Sequence, residues 1–158
     1  MSTNSALLIS LLICVVAAAL EGLLAGKNVK SFLGKLKQPR FAPPFRVWVI
    51  VGFLYYAVCF LILFRILRYD DNLSVRRAAF GLMLAVLALN AFWNYVFFRR
   101  AGLYGSFMLG VFYTLVAVAL FVCLLQFDFI AAYVEIPYLL YLIYAFYWSS
   151  NLLKLNSK

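Results

Sequence analysis

Within one long apolar run stand Asn90, Trp93, Asn94 and Phe97, spaced so that all four share one face of a helix. A second run carries Tyr138, Tyr141, Ala145 and Trp148 on an approximate stripe of the same kind. Both stripes combine flat apolar surface with a few hydrogen-bonding tips, which is what a large flat ligand requires of a pocket. Two amides inside an apolar segment cost free energy unless paired, so the Asn90 and Asn94 face should point toward other helices, water or a ligand. Helix-to-helix bonding by the amides, with the aromatics as core or interface belt, accounts for the same pattern equally well.

Conventional catalysis finds little support. The chain has no histidine, which removes the commonest metal, haem and general-base ligand. Cys14, Cys59 and Cys123 each lie inside an apolar run without paired spacing, so they read as packing residues rather than disulfides or a zinc site. No ATP-binding loop, nucleophile–base pair or metal-ligand cluster is present. Two carboxylates do lie within apolar runs. Glu21 is placed to reach the interface or the bundle interior, and Glu135, just before Pro137, is expected to favour a helix N-terminus.

The elements that must position these residues follow from composition. Of 158 residues, 68% are apolar and 19% aromatic, with a mean hydropathy of +1.01, far above soluble domains. Runs long enough to cross a hydrocarbon core of roughly 30 Å recur along the chain. They fall at about 6–26, 47–64, 78–98, 106–125 and 130–153, giving an all-α integral membrane protein with a single domain over 1–158. The net charge of +9 is loop charge flanking the runs, so nucleic-acid binding is not expected. Six cations and three of the four prolines fall in a basic loop, 27–46. Inside it Val29, Phe32, Leu33 and Leu36 repeat with helical spacing, predicting a short amphipathic helix over the membrane face.

A polar hinge from Arg65 to Arg77, containing Asp70-Asp71-Asn72, is expected between the second and third spans, and a tight hairpin at Gln126-Phe127-Asp128 between the fourth and fifth. The side holding the first loop, third loop and C-terminus carries ten cations against four. That bias predicts the N-terminus out and the C-terminus cytoplasmic. Ala18, Gly22 and Gly26 form one small-residue stripe, and Gly102, Ser106, Gly110 and Thr114 another. Such stripes let helices approach closely. Packing within the bundle is the simpler reading of the first, with a homodimer contact the alternative.

Three dispersed motifs then carry a resemblance. Phe32-Leu33-x-x-Leu36-x-Gln38-Pro39-x-Phe41-x-Pro43-Pro44 resembles the loop pattern W-Y-x-x-L-x-K-P-x-W-x-P-P of the TspO/translocator protein family. Leu89-Asn90-x-x-Trp93-Asn94-x-x-Phe97-Phe98 is similar to its L-N-x-x-W-x-x-x-F-F. Pro137-Tyr138-Leu139-x-Tyr141-x-x-x-Ala145, with the terminal Leu155-Asn156, is similar to its P-Y-L-x-W-x-x-x-A and L-N. The chain departs from the tryptophan-rich pattern at Phe32, Phe41 and Tyr141 and holds only three tryptophans. In the second span two registers are open: Trp48 as the family's tryptophan, or Val51 in its place ahead of Leu54-Tyr55.

The resemblance implies a TspO-like five-helix bundle that binds porphyrin-like tetrapyrroles or other flat hydrophobic ligands for sensing, transport or sequestration. It implies a ligand site at Trp48, Asn90, Trp93, Asn94, Phe97, Tyr138, Tyr141, Ala145 and Trp148, under a lid formed by Phe32, Leu36, Pro39, Phe41, Pro43 and Pro44. Porphyrin or haem would be a ligand rather than a required cofactor, with propionates met by basic side chains of the first loop. Mitochondrial members also bind cholesterol and benzodiazepine-type drugs. The sterol-motif match Leu89, Tyr95 and Arg99 is too common a pattern to predict sterol binding. Alternatives to a binding protein are a light-dependent porphyrin-degrading enzyme using a pocket tryptophan, and a ligand-free membrane assembly protein.

Overall fold

In the computed structural model, which describes residues 2–68 and 73–157, the chain forms helices joined by short turns, without strands among the described residues. The helices are α1 (Thr3–Ala25), α2 (Val29–Lys35), α3 (Phe45–Arg68), α4 (Leu73–Asn94), α5 (Leu103–Leu125) and α6 (Phe129–Asn156), with a π-helical turn, Tyr95–Arg99, continuing α4. Five of them are long and apolar enough to cross a membrane. Each runs past the apolar segment that marks it, most visibly where Arg65 and Arg68 end α3 and Arg76 and Arg77 fall in the first turns of α4. The cations expected in a second-loop hinge are thus largely helical, because long basic side chains reach the interface without ending a helix. Asp70-Asp71-Asn72 lies outside the described residues.

α1 packs on α3 and α4, α3 on α6, α6 on α5 and α5 on α4. The five long helices therefore close into a ring, in which α1 and α4, the first and third spans, run parallel and the other neighbours antiparallel. At one end α3, α4, α5 and α6 bury Ile62, Leu63, Ile66, Met83, Leu120 and Leu124 in the larger core. At the other, α2 covers a smaller core of Phe97, Trp148 and Leu152, packed by Phe32, Leu33, Leu36 and Trp48. α2 is the amphipathic helix expected in the first loop, with its lysines exposed and its apolar face turned onto the bundle end.

The two small-residue stripes behave differently. Gly102 and Gly110 meet Val96 and Trp93, with a Cβ at either falling 3.5–3.8 Å from the neighbour, so the second stripe is a packing face for α4. Ala18 and Gly22 are exposed, and nothing lies within 4 Å of a Cβ added at Gly22. Ala18 and Gly22 therefore do not pack within the bundle as expected, whereas Gly26, the last member of the stripe, lies against Arg99. The Ala18 and Gly22 face is turned outward because Glu21, next to it, turns inward.

Two end features fix the register of the ring. Asp128 caps α6, its Oδ1 accepting from Ile130 N at 3.1 Å and Ala131 N at 3.2 Å. Its carboxylate also takes a two-pronged bond from Arg65, at 2.7 and 2.8 Å, tying the end of α3 to the start of α6. Glu135 does not cap as expected: it lies two turns inside α6, buried, because the helix starts earlier, at Phe129. At the opposite end Asn156 forms a reciprocal amide bridge with the Lys37 backbone, accepting from its N–H at 3.0 Å and donating to its carbonyl at 3.1 Å.

Candidate functional site

Between the two cores the ring does not fill completely, leaving a cavity of about 340 Å³. That is the low end of the roughly 300–1,000 Å³ range of small-molecule sites. Trp48, Asn90, Trp93, Asn94, Phe97, Tyr138, Tyr141, Ala145 and Trp148 all line it. The stripes on α4 and α6 thus face one space, as helical periodicity predicted, and Trp48 joins them from α3. Val51, the alternative second-span position, lines it as well.

α4 and the π turn build the most aromatic wall. Trp93 stacks on Phe97 at 4.7 Å between ring centroids and meets Phe98 edge-on at 6.2 Å. In an unbroken α-helix Phe98 would be rotated about 140° from Trp93. The π turn, opened where Arg100 N bonds Tyr95 O, winds more residues per turn and brings Phe98 round to the cavity. Trp93 is held in place because its Nε1 donates to the Ser106 carbonyl of α5 at 2.9 Å. Trp148 of α6 approaches Trp48 at 4.9 Å and Phe97 at 5.8 Å, closing the wall beneath the lid.

The opposite wall is tyrosine-rich. Tyr55, Tyr138 and Tyr141 follow one another with ring centroids 5.1 and 6.0 Å apart, and the Tyr113 and Tyr138 hydroxyls bond to each other. Tyr55 Oη and Trp148 Nε1 are buried without a hydrogen-bond partner. Both residues line the cavity with their rings, while these two polar atoms are themselves covered by protein.

Two polar side chains expected to act alike do not. Asn90 donates to Glu21 Oε2 at 2.8 Å, a helix-to-helix bond, and lines the cavity as well, so the two readings of this residue hold together. Asn94 donates to the Asn90 carbonyl of its own helix at 2.9 Å. Glu21 faces the interior, where it also accepts from Tyr56 Oη at 2.6 Å. Among the described residues lining the cavity, Glu21 is the sole charged group.

The lid is built differently from its motif. Val29 and Leu33 of α2, and Phe45 at the start of α3, line the cavity, whereas Phe32, Leu36, Pro39, Phe41, Pro43 and Pro44 are outside its lining. Phe32 instead meets Phe97 and Phe98 edge-on at 5.4 and 6.0 Å, and Leu36 packs on the same small core. Phe41 stacks on Tyr147 at 4.7 Å, and its carbonyl accepts from Tyr144 Oη at 3.3 Å. Pro39 is buried, and Pro43-Pro44 lead the chain into α3. These residues hold the lid down; the helical turn that carries Val29 and Leu33 presents those two downward, one turn apart.

Sequence reasoning missed Glu21, Tyr55, Phe98, Tyr113 and Thr114 as lining residues. Glu21 had a signal, as an intramembrane carboxylate, but not an address. Phe98 stood in the family motif but off the helical stripe, since the π turn breaks the 3.6-residue period. A family model described as TspO/MBR matches residues 10–154 of the chain. Comparison with curated proteins gives no significant match.

Proposed function

Since the chain belongs to the TspO/MBR family and is an integral, multi-pass membrane protein, we propose that it binds a porphyrin-like tetrapyrrole, or another flat hydrophobic molecule, in the cavity under α2. The reading assigns the protein to sensing, transport or sequestration of that ligand. The observation that carries it is the convergence of all three tryptophans with Phe97 and Phe98 on one cavity. Flat aromatic surface with a few polar groups, Asn90 and Asn94 among them, suits a rigid ring with a few polar atoms. Recognition is by shape and stacking. Ligand carboxylates would point out toward the exposed lysines of α2 and its flanks.

In this reading the N-terminus is outside and the lid and C-terminus are cytoplasmic, following the bias of basic residues. The protein binds and does not degrade, requires no cofactor, and keeps its porphyrin intact. Titrating the purified protein in detergent with protoporphyrin, while following tryptophan emission, tests the site. Saturable quenching that weakens in Trp93→Ala and Asn90→Ala is expected, with the porphyrin absorption band unchanged on illumination. Quenching that does not saturate, or that is the same in both variants, would remove the cavity as the binding site. Loss of the absorption band in light would point to an enzyme instead.

A further inference from the structure

Glu21 lies on α1 in a helix otherwise built of apolar and small residues. It lines the cavity, and no ion pair is formed with it among the described residues. Its two bonds come from neutral donors, Tyr56 Oη at 2.6 Å and Asn90 Nδ2 at 2.8 Å, and both land on Oε2. The other oxygen, Oε1, is left by this pair. No lysine or arginine stands among the described lining residues. A carboxylate in so apolar a space is costly unless a positive partner is supplied, and an ionisable group at this depth is more often functional than structural.

The surroundings match what a positive partner would need. Tyr55, Tyr138 and Tyr141 form a run of rings among the lining of the same cavity, and the Tyr55 ring centroid stands 5.0 Å from that of Tyr56, which bonds Glu21. Aromatic faces attract a desolvated cation through the ring quadrupole, and a carboxylate beside them adds a charge-assisted hydrogen bond. The same carboxylate repels an anionic group brought to that wall.

We propose that the Glu21 wall of the cavity is a subsite for an organic cation, accepting the protonated nitrogen of a flat aromatic amine while the tyrosine rings flank it. Asn90 and Tyr56 are positioning residues that hold the carboxylate toward the cavity. The inference rests on the cavity being a ligand site and adds the charge preference of this one wall: cation over neutral.

Three ligands of one ring footprint separate the two ideas. The full-length protein in neutral detergent is titrated at pH 8 with 9-aminoacridine (cation), acridine (neutral) and anthracene-9-carboxylate (anion), with tryptophan quenching as the readout. The wild type is expected to bind the cation about tenfold or more tightly than acridine, with the anion free to turn its carboxylate to the lid lysines. Glu21→Gln keeps an acceptor for Tyr56 and Asn90, and should remove the cation's advantage while leaving acridine within about twofold. Equal affinity for 9-aminoacridine and acridine in the wild type overturns the proposal without any variant, so a poorly folding Glu21→Gln does not protect it. A cation preference that persists in a folded Glu21→Gln also overturns it. If acridine binds and charge makes no difference, only the subsite falls. If none of the three saturates, the binding-site reading falls with it.

Discussion

Asp128→Ala should be among the most destabilising single changes at this end of the bundle, because this buried carboxylate does two jobs from one position. Its Oδ1 caps α6 at 3.1 and 3.2 Å, and removing a capping side chain costs about 1 kcal/mol. The Arg65 pair has ideal two-pronged geometry, with the Asp128 side chain 2% exposed but Arg65 32% exposed. A fully buried pair broken from one side costs roughly 3–5 kcal/mol and a surface pair roughly 0–1. Arg65 can turn to water, so the lower half applies, and about 1–2 kcal/mol is expected for this term. The sum is about 2–3 kcal/mol for Asp128→Ala.

Asp128→Asn should cost less, about 1–2 kcal/mol, since asparagine caps as well as aspartate and only the charge is lost. Unfolding in mixed micelles with rising sodium dodecyl sulfate, followed by far-ultraviolet circular dichroism, measures each variant. Adding Arg65→Gln to each background completes a double-mutant cycle, for which a coupling of about 1 kcal/mol is expected. The reasoning is refuted if Asp128→Ala stays within about 0.5 kcal/mol of wild type, or if Arg65→Gln costs as much without Asp128 as with it.

Asn156→Ala removes both bonds to the Lys37 backbone. It should speed amide exchange across residues 29–44 and porphyrin release, while global stability falls by about 1 kcal/mol or less; unchanged exchange there would show the bridge is not what holds the lid. Trp93→Phe keeps the stack on Phe97 but loses the bond to Ser106 O, so a loss of about 1 kcal/mol in stability is expected with porphyrin affinity largely kept. Trp93→Ala should lower that affinity about tenfold. Gly26 has φ +78° and ψ −174°, and a Cβ there would sit 3.3 Å from Arg99 Nε. Gly26→Ala should cost about 1–3 kcal/mol, read by the same detergent unfolding; a neutral result would mean the turn after α1 relaxes without strain.

The sequence alone was sufficient for the spans, their order and the inward faces of α4 and α6. Asn90, Trp93, Asn94 and Phe97 were legible because amides and tryptophan stand out on an apolar helix and the 3.6-residue period puts them on one side. The stripe on α6 was legible from the same period, whereas the family motifs left Trp48 and Val51 both open on α3, and both line the cavity. The reading failed where apolar pattern carries no direction. α1 exposes Leu8, Leu12 and Val15 to the outside and buries Ala6, Cys14 and Ala17, the reverse of what hydropathy suggests in water. Hydropathy also marked the membrane-crossing length of each helix rather than the helix, so the arginines of α3 and α4 were taken for loop.

What only the tertiary structure decided has one physical origin. Lipid tails are as apolar as leucine, so the hydrophobic effect does not tell the inside of a bundle from its outside, and side chains are sorted by packing and by the few polar partners available. Ala18 and Gly22 face out because Glu21 finds Tyr56 of α3 and Asn90 of α4, residues 35 and 69 positions away. Phe98 reaches the cavity because of a π turn, and the lid closes because Asn156 meets Lys37 across 119 residues. Composition and period determine that the chain crosses the membrane five times and which stripes are special; where Glu21 points, and hence which charge that wall of the cavity favours, depends on contacts between helices remote in sequence.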